Sequence, residues 1–565
     1  MYVERVPNRS SPPAILLREA WREEGKIHKR TLANLSHWSA EKVESLRRLL
    51  RGDQLVSPQD AFVITASRPH GHVEAVLGTM RKLGIPALIA SKPSRERDLV
   101  LAMVAERIVR PCSKLATTRL WHTTTLAEEL GVQDAQVDEL YTALDWLLAR
   151  QAHIETKLAA RHLKDGGLVL YDASTSYYEG KTCPLARFGH DRDGKKLPVI
   201  LYGLLTDQSG RPVAVEVYPG NTGDPTTVAD QVDKLREKFG LSHIVLVGDR
   251  GMLTQPQIKK LREHPGLGWI SCLRSGSIRS LIDKGYLQRS LFDETNLAEI
   301  QSPDFPGERL IACLNPLLAD ERARKRQELL QATEKNLERL SREVRRRTKK
   351  PLGKAEIGLK AGRILGRYKM GKHFQLTIED GRFAWARREE AIARECLLDG
   401  IYIVRTSQPE SQLSAADAVR KYKSLAIVER AFRCLKGVDL LVRPIHHRTE
   451  DHVRAHVFLC MLAYYVEWHM RQALAPLLFH DEELDADRAR RDPVAPAQPS
   501  ESVRRKKHTR VAADGLPLHS FQTLLAELAT RCRNTAHLKG EGAPTLQLVT
   551  EFSPIQARAF QLLGL

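Results

Sequence analysis

Read by the spacing of its apolar and polar positions, the chain changes character several times. Residues 1 to about 55 run in short alternating stretches, which predict β segments, followed by the helix EKVESLRRLL with Ser39 as its N-cap. From about 95 to 165 apolar residues recur every three or four positions, the spacing of helices. Within that region TLAEELGVQDAQVDELYTALDWLL reads as helix, turn at Gly131, helix. Its second helix opens with Asp134, Asp138 and Glu139, which phosphates would repel, so a helical hairpin fits better than a groove reader.

Short uninterrupted apolar runs then take over. GLVLYDAST (167–175), LPVILYGLLTD (197–207) and PVAVEVYPGN (212–221) predict three strands, the last two joined by the turn QSGR. A helix follows at about 225–238, then the strand HIVLVGD (243–249), a helix near 255–263 and the strand GWISCL (268–273). Three strands, helix, strand, helix, strand is the order of an RNase H-like sheet, which mixes antiparallel and parallel pairing. A long basic helix at 318–348 breaks this pattern, with Leu330, Leu337 and Val344 at seven-residue spacing and Thr333 and Leu340 between them, a short coiled-coil seam. The sheet resumes with DGIYIVRTS (399–407), helices follow at about 414–436 and 450–475, and a Pro- and Ala-rich linker (481–515) leads to a helical tail.

The expected fold is therefore mixed multidomain α/β. Its parts are an N-terminal β/helix region (1–60), a helical region suited to DNA ends (61–165), the first part of an RNase H-like core (166–300), an insertion with the basic helix (301–398), the second part of the core (399–475), and a linker with a helical C-terminal tail (476–565).

Charge narrows the partners. The 565 residues carry 88 Lys and Arg against 69 Asp and Glu, a balance of 88 − 69 = +19, which favours a polyanion such as nucleic acid. Over 321–350 the count is 12 against 5, so the basic helix, ending in Arg345, Arg346 and Arg347, reads as a DNA-facing insertion. The eight cysteines lie far apart with no CxxC pair, which argues for reduced thiols in a cytoplasmic protein and against a structural zinc site. MYVERVPNRSSPP lacks the apolar core of a secretion signal, and the longest apolar run, Val457 to Val466, is too short to span a bilayer.

Two carboxylates stand where carboxylates are expensive. Asp172 and Asp249 each end an apolar strand, and an ionised acid there must be paired or bind metal. On the helix near 414–436, steps of seven put Tyr422, Glu429 and Lys436 on one face amid apolar Ile427, Val428, Phe432 and Leu435. Three acids without His or Cys suit Mg²⁺ or Mn²⁺, two of which can clamp the attacking and leaving oxygens of a phosphoryl transfer. Other motifs fail: GHDRDGK (189–195) lacks the Ser or Thr of a phosphate loop and precedes a strand, so no nucleotide cofactor is expected. His452 and His456 lack the Glu of a zinc-protease pair and read as backbone contacts or caps. Asn221 and Asp224 either shape a turn and cap the helix at 225 or support the acids from a second layer.

YDAST, VGDRGM and YKSLAIVERAFRCLK together resemble the three catalytic blocks of DDE-type insertion-sequence transposases, in the group whose third block is Tyr-x2-Arg-x3-Glu-x6-Lys. GNTGD (220–224), DGIYIVRTS and RPIHHRTEDHVRAHVFLCML (443–462) extend the resemblance, which covers about 100 to 475 and more faintly both ends. One departure stands out: the block's Arg position is Leu425, so that contact must come from elsewhere, with Arg430, Arg433 and Arg443 as candidates.

The resemblance implies metal-dependent cleavage at element ends and strand transfer into target DNA, with Asp172, Asp249 and Glu429 as catalytic metal ligands for two Mg²⁺ or Mn²⁺ ions. Tyr422, Lys436, Arg250, Arg433, Arg443 and His447 would face DNA, Lys436 beside the cut and Tyr422 against a base or the backbone. The partners are the terminal inverted repeats, the target duplex and a second copy of the chain, since joining two ends needs two sets of acids; the seam at Leu330, Leu337 and Val344 and the tail after 515 are candidate contacts. The rival readings are a nuclease or resolvase on the same core and a catalytically retired DNA-binding regulator, and the intact acids weigh against the latter.

Overall fold

A computed structural model of the chain describes residues 1–9, 11–53, 62–192, 194–538 and 544–565; the expected boundary at 60–61 and Asp193 of the GHDRDGK run lie outside them. In chain order its strands are β1 (Tyr2–Val6), β2 (Ala14–Glu23), β3 (Lys26–Asn34), β4 (Phe62–Pro69), β5 (Gly167–Tyr177), β6 (Val199–Asp207), β7 (Pro212–Pro219) and β8 (Ile244–Val247). There follow β9 (Leu267–Cys272), β10 (Leu297–Ile300), β11 (Arg309–Leu314), β12 (Phe374–Glu379), β13 (Arg382–Arg387), β14 (Ile401–Thr406), β15 (Cys532–Leu538) and β16 (Thr545–Val549).

These elements divide between two units, Met1–Arg68 with Arg531–Glu551, and Pro69–Thr530 with Phe552–Leu565. In the first, β1, β2 and β3 form an antiparallel sheet, and the helix Ala40–Leu50 begins where the Ser39 side chain accepts from Lys42 N–H. A second small sheet runs β16-β15-β4. The tail is thus not wholly helical: β15 and β16 pair in it, and TLQLV offers too few residues to signal a strand by period alone.

The second unit is organised by an eight-stranded sheet in the order β10-β11-β14-β9-β8-β5-β6-β7. Strands β5, β6 and β7 form an antiparallel meander, while β8 and β9 lie parallel to β5, so β7-β6-β5-β8-β9 is the strand order of an RNase H-like core. Strand β14 adds antiparallel to β9, followed by β11 and β10. This corrects the expected insertion boundary, because β11 lies inside 301–398 yet belongs to the main sheet. The open edge of β7 is covered from outside by the helix Gln151–His162: Gln151 donates to the Val215 carbonyl (2.8 Å) and Glu155 accepts the Val215 N–H (3.1 Å). Buried Glu155 is in turn paired with Lys234 at 3.0 Å.

The helices of 71–162 share one hydrophobic core with this sheet. Of the expected helix-turn-helix, the first helix is only Leu126–Glu129, and the second, Val137–Leu148, turns Leu140, Ala143, Leu144 and Leu147 inward. Asp134 and Glu139 are held by Arg95, and the region packs as a layer on the shared core. At the centre lies Glu450–Ala473, capped by Thr449 and buried almost all round from Val453 to Val466, as a helix apolar on every side must be. Among the described residues no helix is long and apolar enough to cross a membrane.

The insertion proper starts at Pro316, where Asn315 caps the helix Pro316–Arg346. Its seam is buried, but against its own chain: Leu330, Leu337, Leu340 and Val344 pack with Ile357, Ala361, Phe374 and Phe383 of the following helix and the β12–β13 hairpin. The coiled-coil reading is corrected accordingly, and the seam is withdrawn as a contact between copies.

Candidate active site

Strand register brings the two aspartates together. Leu170 of β5 lies beside Val247, the last residue of β8, so Asp172, two residues on in β5, and Asp249, two residues past the end of β8, lie at the same end of the parallel pair. Tyr171, on the opposite face, donates to Thr227 Oγ1 (2.9 Å) beneath the sheet. On the Asp172 side lies the helix Leu425–Arg433, which buries Val428, Ala431 and Phe432; the Phe432 ring meets Tyr202 edge-on at 5.7 Å. Glu429 stays exposed on that helix, and its charge, with that of Asp249, reaches Asp172.

The helix is not one straight rod. It kinks at Ser424, between Ala415–Lys423 and Leu425–Arg433, and widens into a π turn at Cys434–Val438. Tyr422, Glu429 and Lys436 nevertheless all reach the sheet's acidic end or stand over it. The Tyr422 hydroxyl donates to Asp249 Oδ1 (3.3 Å), and Lys436 Nζ donates to Ser174 Oγ (2.5 Å), two residues beyond Asp172 on the same face. Burial pushes the Tyr422 phenol up, so it stays a donor at neutral pH. Arg274 fixes the turn after β8 by donating to the carbonyls of Arg250 (3.2 Å) and Gly251 (3.3 Å), leaving the Arg250 side chain exposed.

Burial raises the Asp172 carboxyl to about 7; Arg192 and the Ala173 N–H, 2.8 Å from Oδ1, pull it down, while the charges of Asp249 and Glu429 push it up. Partly buried and exposed carboxylates in each other's field are a donor set that a hard divalent cation fits, and oxygen-only ligands suit Mg²⁺ or Mn²⁺ over zinc. The three acids, which repel one another, do not converge within 4.8 Å. Among the described residues the set that does is Cys434, Asp439 and Glu467, and Arg471 already neutralises it, 2.6 Å from Glu467 and 2.8 Å from Asp439.

The remaining candidates separate. Arg433 is exposed, and Arg443 is half-buried with its guanidinium over the Tyr177 ring. Arg346 is exposed and unpaired among the described residues, whereas Arg345 and Arg347 lean on Glu338 and Glu343. His447 packs against His456 (4.8 Å) and Tyr141, and burial lowers it to about 3, so its ring is neutral in the free protein. His456 Nε2 donates to the Val442 carbonyl (3.0 Å) and is no metal pair with His452, which sits at Asp145. Asn221 is exposed and bonds no described residue through its side chain. Asp224 does not cap the helix; its carboxylate accepts from Arg192 at 2.7 Å. Arg192 itself escaped sequence reasoning, because its loop was judged only as a phosphate-loop motif.

A mixed sheet of this order, with Asp172 in β5 and Asp249 two residues past β8, is the frame in which the comparisons are read. The family model of the transposase DDE domain matches residues 164–466, over half the chain, and the chain belongs to that family. Residues 3–61 match the N-terminal domain of IS1634 family transposases. The protein is thus an insertion-sequence DNA transposase, an enzyme that works on DNA with divalent metal. No curated protein sequence matches. Among solved structures, a piggyBac transposase synaptic complex with hairpin DNA is similar at 10% identity and a TM-score of 0.34, covering 81% of this chain and 76% of that one. A Mos1 transposase paired-end complex with left transposon end is similar at 15% identity and a TM-score of 0.14, covering 30% and 62%.

Proposed function

We propose that Asp172, Asp249 and Glu429 are the catalytic acids of this transposase and together hold two Mg²⁺ ions, with Mn²⁺ as substitute. The observation that supports this is the β5–β8 pairing, with Asp172 in β5 and Asp249 two residues past β8, and the charges of Asp249 and Glu429 that bear on Asp172. Bound metal would supply Lewis-acid stabilisation of the phosphoryl oxygens. The chain's own residues do the rest: Lys436, anchored on Ser174, faces the phosphate next to the cut, and Tyr422 holds Asp249 in place. Water attacks the phosphodiester at the element end to free a 3′-OH, and that hydroxyl then attacks a target phosphodiester in the same site, breaking its P–O3′ bond and releasing the target strand's own 3′-OH. The third block, apart from Leu425, groups the chain with the Tyr-Arg-Glu-Lys transposases.

Changing each acid to Ala should abolish cleavage of end DNA in Mg²⁺ while duplex binding persists; a variant that cleaves normally removes that residue from the set. We further propose that two copies act on paired ends. Mixing Glu429→Ala with a partner defective in end binding should restore cutting, and a mixture as inactive as its parts, with one chain per end by light scattering, refutes it.

A further inference from the structure

The GHDRDGK loop has a use that its failed motif hid. Gly220 N–H donates to the Leu185 carbonyl (2.9 Å), Arg187 pairs with Val199, and the Thr175 hydroxyl donates to the His190 carbonyl (3.2 Å), which pin the loop across the end of β5. Gly189 fits so closely that a Cβ there would lie 1.8 Å from the Gly220 carbonyl oxygen. The loop so held delivers Arg192, which donates to the Ala173 carbonyl, next along the chain from Asp172, and to Asp224 at 2.7 Å.

We propose that Arg192 grips a phosphate of the cleaved strand beside Asp172, supplying the guanidinium that Leu425 does not; the inference rests on Asp172 belonging to the cleavage site. A guanidinium has five N–H donors, and two are engaged by described residues, leaving three for a ligand. Its side chain is 31% exposed, so those donors are reachable, unlike those of a buried structural arginine. Ala173 and Asp224 fix the plane of the fork, which suits bidentate recognition of a phosphate. Lys436 is anchored on Ser174, so two cations flank Asp172 on one strand, and a phosphodiester approaching the acid meets both. Leu425, by contrast, is buried in the core and offers nothing to DNA.

The test is single-turnover cleavage by the full chain of a duplex carrying the element's own end, with phosphate or an uncharged methylphosphonate at single positions around the cut. Arg192→Gln should slow cleavage about 10- to 150-fold, the range for one charge-assisted hydrogen bond, with duplex affinity little changed. At the contacted phosphate the methylphosphonate should slow the parent enzyme by a similar factor but barely slow Arg192→Gln, since both remove one contact. Arg192→Lys should recover part of the rate, because an ammonium restores charge without the fork. Parent-like cleavage by Arg192→Gln, or losses that multiply at every position, overturns the inference. Should Arg192→Gln fail to fold by thermal unfolding, Arg192→Lys and the parent's own methylphosphonate scan decide, and a scan with no sensitive phosphate near the cut overturns it. Asp172→Ala, assayed alongside, separates the two ideas: if it cleaves, the site reading falls; if it is dead while Arg192→Gln is normal, only this inference falls.

Discussion

The end of the insertion helix offers a prediction whose size follows from the structure. Of the five cations Arg345, Arg346, Arg347, Lys349 and Lys350, two are already committed: Arg345 lies 3.6 Å from Glu338 and Arg347 lies 3.4 Å from Glu343. Arg346, Lys349 and Lys350 are exposed and have no ion-pair partner among the described residues. If this end faces duplex DNA, each unpaired cation neutralises one phosphate and adds about 0.9 to the slope of log affinity against log salt. Changing these three to Gln should therefore lower the slope by about 2.7, and changing Arg345 and Arg347 should lower it by less than about 1.8. Between 50 and 200 mM salt, a loss of about 2.7 in slope means the parent's affinity falls about 40-fold more than the triple variant's. Fluorescence anisotropy on a labelled duplex across that range measures it. A triple variant with the parent's slope would show that this end faces solvent, and an equal effect per residue from the two sets, about 0.9 each, would refute the role given to Glu338 and Glu343.

Three further outcomes follow. Leu337→Ala in the buried seam should cost about 2–5 kcal/mol in urea unfolding while leaving the oligomeric state by light scattering unchanged; a loss of self-association would reinstate the seam as an interface. Arg471→Leu leaves buried Glu467 and Asp439 uncompensated and should cost about 3–5 kcal/mol, so an unchanged urea midpoint would mean the network contributes little. Burial, helped by the charge of Arg110, lowers His72 to about 4, below the ordinary 6.5. The unfolded chain then binds more protons between those values, so stability is full above about 6.5 and falls with acid, by about 2 kcal/mol at pH 5 from this residue. Thermal unfolding of His72→Gln beside the parent at pH 7.5 and pH 5 tests it, and equal acid sensitivity in both removes His72 as a cause.

Asp172 and Asp249 stand out in the sequence because a short apolar run ending in Asp is both a strand signal and an energetic anomaly, visible without neighbours, although β5 runs on to Tyr177 and β8 stops at Val247. Glu429 was legible from helical spacing, although the kink at Ser424 and the π turn at Cys434–Val438, which carry Tyr422 and Lys436 to the sheet, leave no trace in that spacing. Strands β10 and β11 were missed because ERLIACL stands next to a loop and a long helix, and only tertiary pairing with β14 marks it as sheet. The seam of the insertion helix was rightly seen as buried, but a seven-residue period cannot say whether a second copy or the chain's own hairpin covers it. Arg192 needed the close approach of Gly189 to Gly220, a contact between segments that sequence spacing does not contain.

The unit that draws on both Met1–Arg68 and Arg531–Glu551 imposes an order of events on synthesis. Strand β4 leaves the ribosome early, yet its neighbour β15 starts at Cys532, 532 − 68 = 464 residues after Arg68, which at about 5–20 residues per second is a wait of roughly 25–90 s. Until then β4, with Phe62, Val63 and Ile64 exposed, stands as an open edge ready to pair with any passing strand. A nascent chain halted before residue 531 would carry all three acids and lack the strand that completes this unit, so translation itself withholds the unit until β15 is made.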